Sequence, residues 1–305
     1  MAAVAGASGL DSATPYQEQL VDGDSDATEK VVIIPIQGVI MEMPDRQGNP
    51  SGTYAKVRSM LRKVEKDENV KAIILDINTP GGGITESDRI YHELKRFKEE
   101  SKLPVVALFG DVAASGGYYV AMASDHIQAH PTTITGSIGV IAQFIQVYGL
   151  FDKVGLHMET VKSLRYDESE SMKDIGSPYR KMTPAERKFL QDLITEMWER
   201  FVSVVQEGRK GKISPEKVRQ LADGRIYMGP TALELKLVDS VGYEQDAFKK
   251  ARELGKAPGA KVVRYKREPS FEDLFGVRST PPDPQALLDR VMHDSPTLLY
   301  LWTGH

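Results

Sequence analysis

The 305-residue sequence predicts an α/β protein built on a mainly parallel sheet with helices on both faces. Apolar runs rich in β-branched residues recur at 31–36 (VVIIPI), 72–77 (AIILDI) and 105–109 (VVALF), and unbroken runs of that kind mark strands buried on both sides. Between them, Val57, Met60, Leu61 and Val64 repeat at helical spacing, as do Ile90, Leu94 and Phe97. Glycine-rich turns close two of the strands, at the strand ends where parallel sheets bind ligands.

Further along, 156–161 is another strand candidate, and 162–177 is polar with no periodicity. Thr183 opens a long helix, with Pro184 at its first position and Glu186 placed to close a capping box. Its stripe of Leu190, Leu193, Ile194, Met197, Phe201 and Val205 is expected to face a core. Ser214 and Pro215 start another helix, and 261–265 reads as a final strand. The organisation that results is a disordered segment over 1–29, one catalytic α/β domain over 30–267, and a tail over 268–305. The tail is Pro-rich and ends in an apolar run, 298–302, suited to an interface or to a groove.

Composition narrows the function. With 41 % hydrophobic residues the chain can bury a core, and its net charge of −4 argues against a nucleic-acid partner. There is no cysteine, which excludes thiol nucleophiles, disulfides and cysteine-ligated metals. Residues 1–29 show no apolar run and no basic start, so they are read as neither signal peptide nor membrane anchor, and the chain itself as soluble.

The first glycine turn, 78–83 (NTPGGG), permits positive φ and the close approach of bare N–H groups. It serves a ligand or only the turn; no Gly-Lys-Ser/Thr follows, so it is not a P-loop. In the second, 110–119 (GDVAASGGYY), small neighbours leave Ser115 in a tight strand-to-helix turn. There Ser115 is either a nucleophile, with the helix that Gly116 begins aiming N–H groups at an oxyanion, or a helix N-cap. Ala113 keeps the segment from being a GxSxG elbow.

A serine nucleophile needs a base. His92, His126, His130, His157, His293 and His305 show no carboxylate orienter nearby in sequence, so each reads first as structural or surface, and a Ser-His-Asp triad stays open. Lys173, in 171–178 (SMKDIGSP), is the other candidate, since a desolvated lysine can act as a base, although a solvated surface charge is the default for any lysine. Ser137, in 135–139 (TGSIG), is a hydroxyl in another small-residue turn.

The combination resembles the signal peptide peptidase A family, serine–lysine peptidases of the ClpP/crotonase-like fold. Seven segments carry the resemblance in family order: 78–83, 114–119 (ASGGYY), 135–140 (TGSIGV), 173–178 (KDIGSP), 182–187 (MTPAER), 222–227 (ADGRIY) and 237–242 (LVDSVG). The resemblance runs from about Val31 to Ala251, nearly three quarters of the chain. The resemblance implies Ser115 as nucleophile, Lys173 as general base, Ser137 as the hydroxyl that orients the lysine, and the N–H groups of Gly82 and Gly116 as oxyanion hole. It implies no cofactor or metal, and apolar peptides as substrates, among them remnant signal peptides. It also implies a homo-oligomeric ring in which serine and lysine meet across a subunit boundary, and a membrane-associated, extracytoplasmic setting. The chain departs from the family in lacking an N-terminal anchor and in the long, acidic stretch LRYDESESM before Lys173.

Two other classes compete. An acyl-CoA enzyme on the same fold needs a catalytic carboxylate near the glycine turns, for which Glu86 is the candidate. A non-catalytic oligomeric scaffold needs neither Ser115 nor Lys173.

Overall fold

The computed structural model describes residues 16–42, 51–164, 171–267 and 299–301. Along the chain run β1 (Tyr16–Asp22), β2 (Lys30–Gln37), α1 (Thr53–Glu65), β3 (Val70–Thr79), β4 (Gly81–Gly83), α2 (Ile84–Ser101), β5 (Val105–Ala114), α3 (Gly116–Ala121), β6 (His126–Ala129) and β7 (Ile134–Gly136). There follow α4 (Tyr148–Lys153), α5 (Pro184–Gly208), α6 (Pro215–Leu221), β8 (Ile226–Met228), α7 (Gly229–Glu234), β9 (Ser240–Val241), α8 (Glu244–Leu254), β10 (Lys261–Arg267) and β11 (Leu299–Leu301).

The three apolar runs form β2, β3 and β5, the middle of a sheet ordered β1-β10-β2-β3-β5-β6-β9. From β10 to β9 every neighbouring pair is parallel, as continuous apolar strands require. On one face Val57, Leu61, Ile90, Leu94 and Phe97 are buried with the alternate side chains of β2 and β3. On the other face Val31, Ile33, Ala72 and Ile74 pack under Phe248 and Ala251 of α8. Each large aliphatic side chain so buried contributes about 1.5–3 kcal/mol.

Thr183 caps α5 as expected: its Oγ1 accepts from Glu186 N–H at 3.2 Å, and the Glu186 carboxylate accepts from Thr183 N–H at 2.8 Å. At the other end of α5, Arg209 is 1 % exposed and donates to both carboxylate oxygens of Asp239 at 2.9 and 3.1 Å. Burial by itself would push the Asp239 carboxyl up, but hydrogen bonds from Arg209 and Lys212 hold it down at about 2.

Four expectations need correction. The stretch 156–161 is irregular, not a strand: it pairs with no strand among the described residues, and Val161 is 92 % exposed. The α5 stripe is buried only at Phe201 and Val205; Leu190 and Ile194 instead line a cavity of about 540 Å³ shared with Phe144 and Tyr148. The segment expected to be disordered contributes β1, which pairs antiparallel with β10. Finally, β10 is an inner strand between β1 and β2, and one more strand follows it. That strand, β11, lies antiparallel on β4 with Tyr300 opposite Gly82; the rest of the tail, 268–298 and 302–305, lies outside the described residues.

Candidate active site

Ser115 stands where β5 turns into α3, with φ 52° and ψ −115°. A non-glycine residue there carries strain of about 1–3 kcal/mol, which persists only where the surroundings impose it. The surroundings are strand pairing: β5 and β7 run parallel with Ala114 opposite Gly136, and Ser115 N–H donates to the Gly136 carbonyl at 2.8 Å. Thr135 Oγ1 fastens the same pair by donating to the Ala113 carbonyl at 2.7 Å. Ser137, next after Gly136, therefore falls beside Ser115, also with positive φ (51°). Ser115 is 1 % exposed and Ser137 8 %. Ser115 occupies the N-cap position of α3, but its side chain makes no capping hydrogen bond. The reading as an ordinary helix cap does not hold.

The two glycine turns meet here. A Cβ on Gly116 would lie 2.5 Å from Ser87 Oγ, 3.2 Å from Gly81 Cα and 3.3 Å from Gly82 N. A Cβ on Gly82 would lie 1.9 Å from the Ile40 carbonyl oxygen. Both positions require glycine because backbone passes against backbone. Gly81 has φ 106°, and the first N–H groups of α3 have no intrahelical acceptor. Ser87, which the sequence reading passed over, supports the turn from below by donating to the Gly83 carbonyl at 2.8 Å. Its place four residues after Gly83, at the start of α2, was the available signal.

Lys173 comes from another segment of the chain. It is exposed, in a turn over 173–176, and among the described residues it is hydrogen-bonded to neither Ser115 nor Ser137. The structure thus brings together Ser115, Ser137, Gly82 and Gly116, and leaves Lys173 on a separate segment. The long stretch before it falls mostly at 165–170, outside the described residues.

The histidines take other partners. His126 Nε2 is 2.8 Å from Ser240 Oγ, and burial pushes its pKa down. His130 Nδ1 is 2.9 Å from Thr132 Oγ1, its ring edge-on to Tyr243. His92 and His157 are exposed, and His293 and His305 lie outside the described residues. Glu86 sits in the first turn of α2, its carboxylate folded back to where a Gly83 Cβ would be. That is the favoured place for a negative charge at a helix start. Among the described residues no group of three or more His, Asp or Glu is arranged to hold a metal ion, and no helix is long and apolar enough to cross a membrane.

Comparison with known proteins gives the family. Residues 97–257 match the model of peptidase family S49, and residues 43–146 match that of the NfeD1b N-terminal domain. A protein of Enterococcus faecium named as signal peptide peptidase SppA is 36 % identical over 254 residues, 83 % of this chain and 71 % of that one. A protein of Synechocystis named as a protease is 44 % identical over 197 residues, 65 % of this chain and 67 % of that one. Protease 4 of Salmonella typhi is 32 % identical across 86 % of this chain and 40 % of its own. Among solved structures, a membrane-bound stomatin-specific protease aligns over 79 % of this chain and 100 % of that one, with TM-score 0.47 and 16 % identity. With the family model matched across residues 97–257 and relatives 36 % and 44 % identical to it, the chain belongs to peptidase family S49, and it is a serine peptidase built on an α/β fold.

Proposed function

We propose that this peptidase works through a Ser115–Lys173 dyad, and that its substrates are extended apolar peptides such as remnant signal peptides. The observation that carries the reading is Ser115 itself: a buried serine at φ 52° whose hydroxyl is not spent on capping, flanked by the backbones of Gly82 and Gly116. Neutral Lys173 takes the Ser115 proton as Oγ attacks the scissile carbonyl carbon. The N–H groups of Gly82 and Gly116 receive the oxyanion, a contribution of about 10²–10³ in rate for each donor. The lysine then returns the proton to the leaving amine, an acyl-enzyme forms, and a water activated by the same lysine hydrolyses it. Ser137, beside Ser115, orients the lysine.

The acyl-CoA and scaffold alternatives lose their ground with membership of a peptidase family. Support for extended substrates comes from β11: a segment of the chain itself adds to Gly81–Gly83 as an antiparallel strand, the mode in which sheet edges capture peptides. The relative named for signal peptides supports apolar ones and a membrane-associated setting.

The reading includes a ring of subunits, with Lys173 reaching the Ser115 of a neighbour. The segment that leads to Lys173 exposes apolar side chains that a neighbouring subunit would cover: Ile145, Leu150, Val154, Leu156 and Val161 are 55–92 % exposed.

A serine-reactive phosphonate probe tests the nucleophile. It is expected to label the wild type and Lys173→Ala weakly or not at all in the latter, and never Ser115→Ala; labelling of Ser115→Ala at the wild-type rate defeats the reading. For the shared site, Ser115→Ala and Lys173→Ala subunits are dissociated and reassembled together. Mixed oligomers should regain part of the peptidase activity, and wholly inactive mixed rings place a complete dyad within each subunit.

A further inference from the structure

The residue next to Lys173 is a carboxylate, Asp174, and the structure spends it elsewhere. Asp174 Oδ1 accepts from Lys162 Nζ at 2.8 Å, and Oδ2 accepts from Arg180 Nε at 2.7 Å. The other end of the Arg180 guanidinium grips Glu186: Nη1 donates to Oε2 at 2.9 Å and Nη2 donates to Oε1. Glu186 is itself locked by the Thr183 capping box in the first turn of α5. Side-chain exposures of 16 % for Lys162, 14 % for Asp174 and 5 % for Glu186 set this network apart from ordinary surface ion pairs. Among the described residues two cations face two carboxylates, one cation from the segment before Lys173 and one from the loop after it. The hydrogen bonds of Arg180 and Lys162 hold the Asp174 carboxyl well below the usual range, so it is ionised wherever the enzyme works. The Lys173 side chain has no ion pair or hydrogen bond to any described residue; only its backbone N–H is engaged, by Ser171 Oγ at 3.2 Å.

Resting on Lys173 as the base, we propose that Arg180 is a positioning residue that acts through Asp174. It pins the lysine turn to the start of α5, and it keeps the carboxylate adjacent to Lys173 from becoming that lysine's counter-ion. The physical requirement is plain. A base must be neutral to accept a proton, and an ionised carboxylate within reach favours the protonated ammonium. Asp174 is one residue from Lys173 and would be such a carboxylate without Arg180. Lys162 alone covers only one oxygen of Asp174, and Glu186, itself an anion, cannot cover the other. Arg rather than Lys fits the position because its planar fork reaches two carboxylates at once.

The test is the pH dependence of kcat/KM on a neutral fluorogenic apolar peptide, with the full chain as its native oligomer. In Arg180→Gln the rise of kcat/KM with pH should move upward by about one pH unit. Activity near neutrality then falls about tenfold, and the difference narrows at high pH. Adding Asp174→Asn to Arg180→Gln should bring the rise back to its wild-type position, because the released carboxylate is gone. A merely structural role predicts loss at every pH with no displacement of the rise and no return in the double variant; that result overturns the proposal. Should Arg180→Gln fail to fold, Arg180→Lys, which cannot hold both carboxylates, must move the rise in the same direction by less, and an unmoved rise is again refuting. Lys173→Ala run alongside separates the two ideas. If it retains peptidase activity, the dyad itself fails; if it is inactive while the rise in Arg180→Gln stays in place, only the role of Arg180 fails.

Discussion

Ser115 and Ser137 lie at the same level of two paired strands, both with positive φ, at 52° and 51°. They are linked through one backbone hydrogen bond, from Ser115 N–H to the carbonyl of Gly136. Twenty-two positions separate them in sequence, and the parallel pairing of β5 with β7 removes that separation. Ser137→Ala is therefore expected to lower kcat about ten- to a hundredfold with little change in KM, since a mis-aimed base costs rate and not substrate binding. Steady-state kinetics on an apolar peptide checks this, and a KM effect with kcat intact places Ser137 in substrate binding instead.

Gly82→Ala and Gly116→Ala should each cut kcat/KM about a hundredfold or more, because a Cβ at either site crowds its neighbours and shifts the backbone whose N–H is proposed as an oxyanion donor. Gly259→Ala, where nothing lies within 4 Å and φ is not positive, serves as the control and should leave activity unchanged. Full activity in Gly116→Ala would falsify the assignment of that turn.

Deleting residues 299–305 removes β11 from Gly81–Gly83. A strand held in the chain competes with any peptide that uses the same edge, and occupancy of that edge raises the apparent KM. The truncated chain is expected to show a KM several times lower with kcat unchanged. An identical KM means that peptides bind along another edge.

Acid should unfold the protein in a defined window. Hydrogen bonds from Arg180 hold the Glu186 carboxyl at about 2, and the Asp239 carboxyl is likewise at about 2. Both lie below their unfolded values near 4. A depressed folded value stabilises above the unfolded one and loses that stabilisation as pH falls toward the folded value. Thermal midpoints should accordingly be flat from about pH 8 to 5 and drop between about pH 4 and 2. Asp239→Asn or Glu186→Gln should shrink that drop; an undiminished drop in both assigns it to other carboxyls. At neutral pH, Arg209→Ala should destabilise the fold by less than the about 3–5 kcal/mol of a wholly stranded buried charge, since Lys212 still pairs with Asp239.

The sequence by itself determined the elements whose signal is local. Buried strands β2, β3 and β5 follow from unbroken β-branched runs, α1 and α2 from apolar residues at helical spacing, and the start of α5 from Thr183, Pro184 and Glu186. The turn at Ser115 was legible for the same reason, as a string of small residues after a strand. Tertiary structure decided everything that rests on what lies opposite. The apolar 156–161 reads as a strand, but a strand needs a partner edge and no described strand pairs with it. Leu190 and Ile194 continue the periodicity of Phe201 and Val205, but the core ends before it reaches them. Tyr16–Asp22 lacks the pattern of a buried strand because it is an exposed edge strand stabilised by its pairing with β10. The juxtapositions of Ser137 with Ser115, of Gly82 with Gly116, and of Arg180 with both Asp174 and Glu186 arise from strand pairing and side-chain reach. No periodicity encodes those, because they join segments whose separation along the chain carries no information about their distance in space.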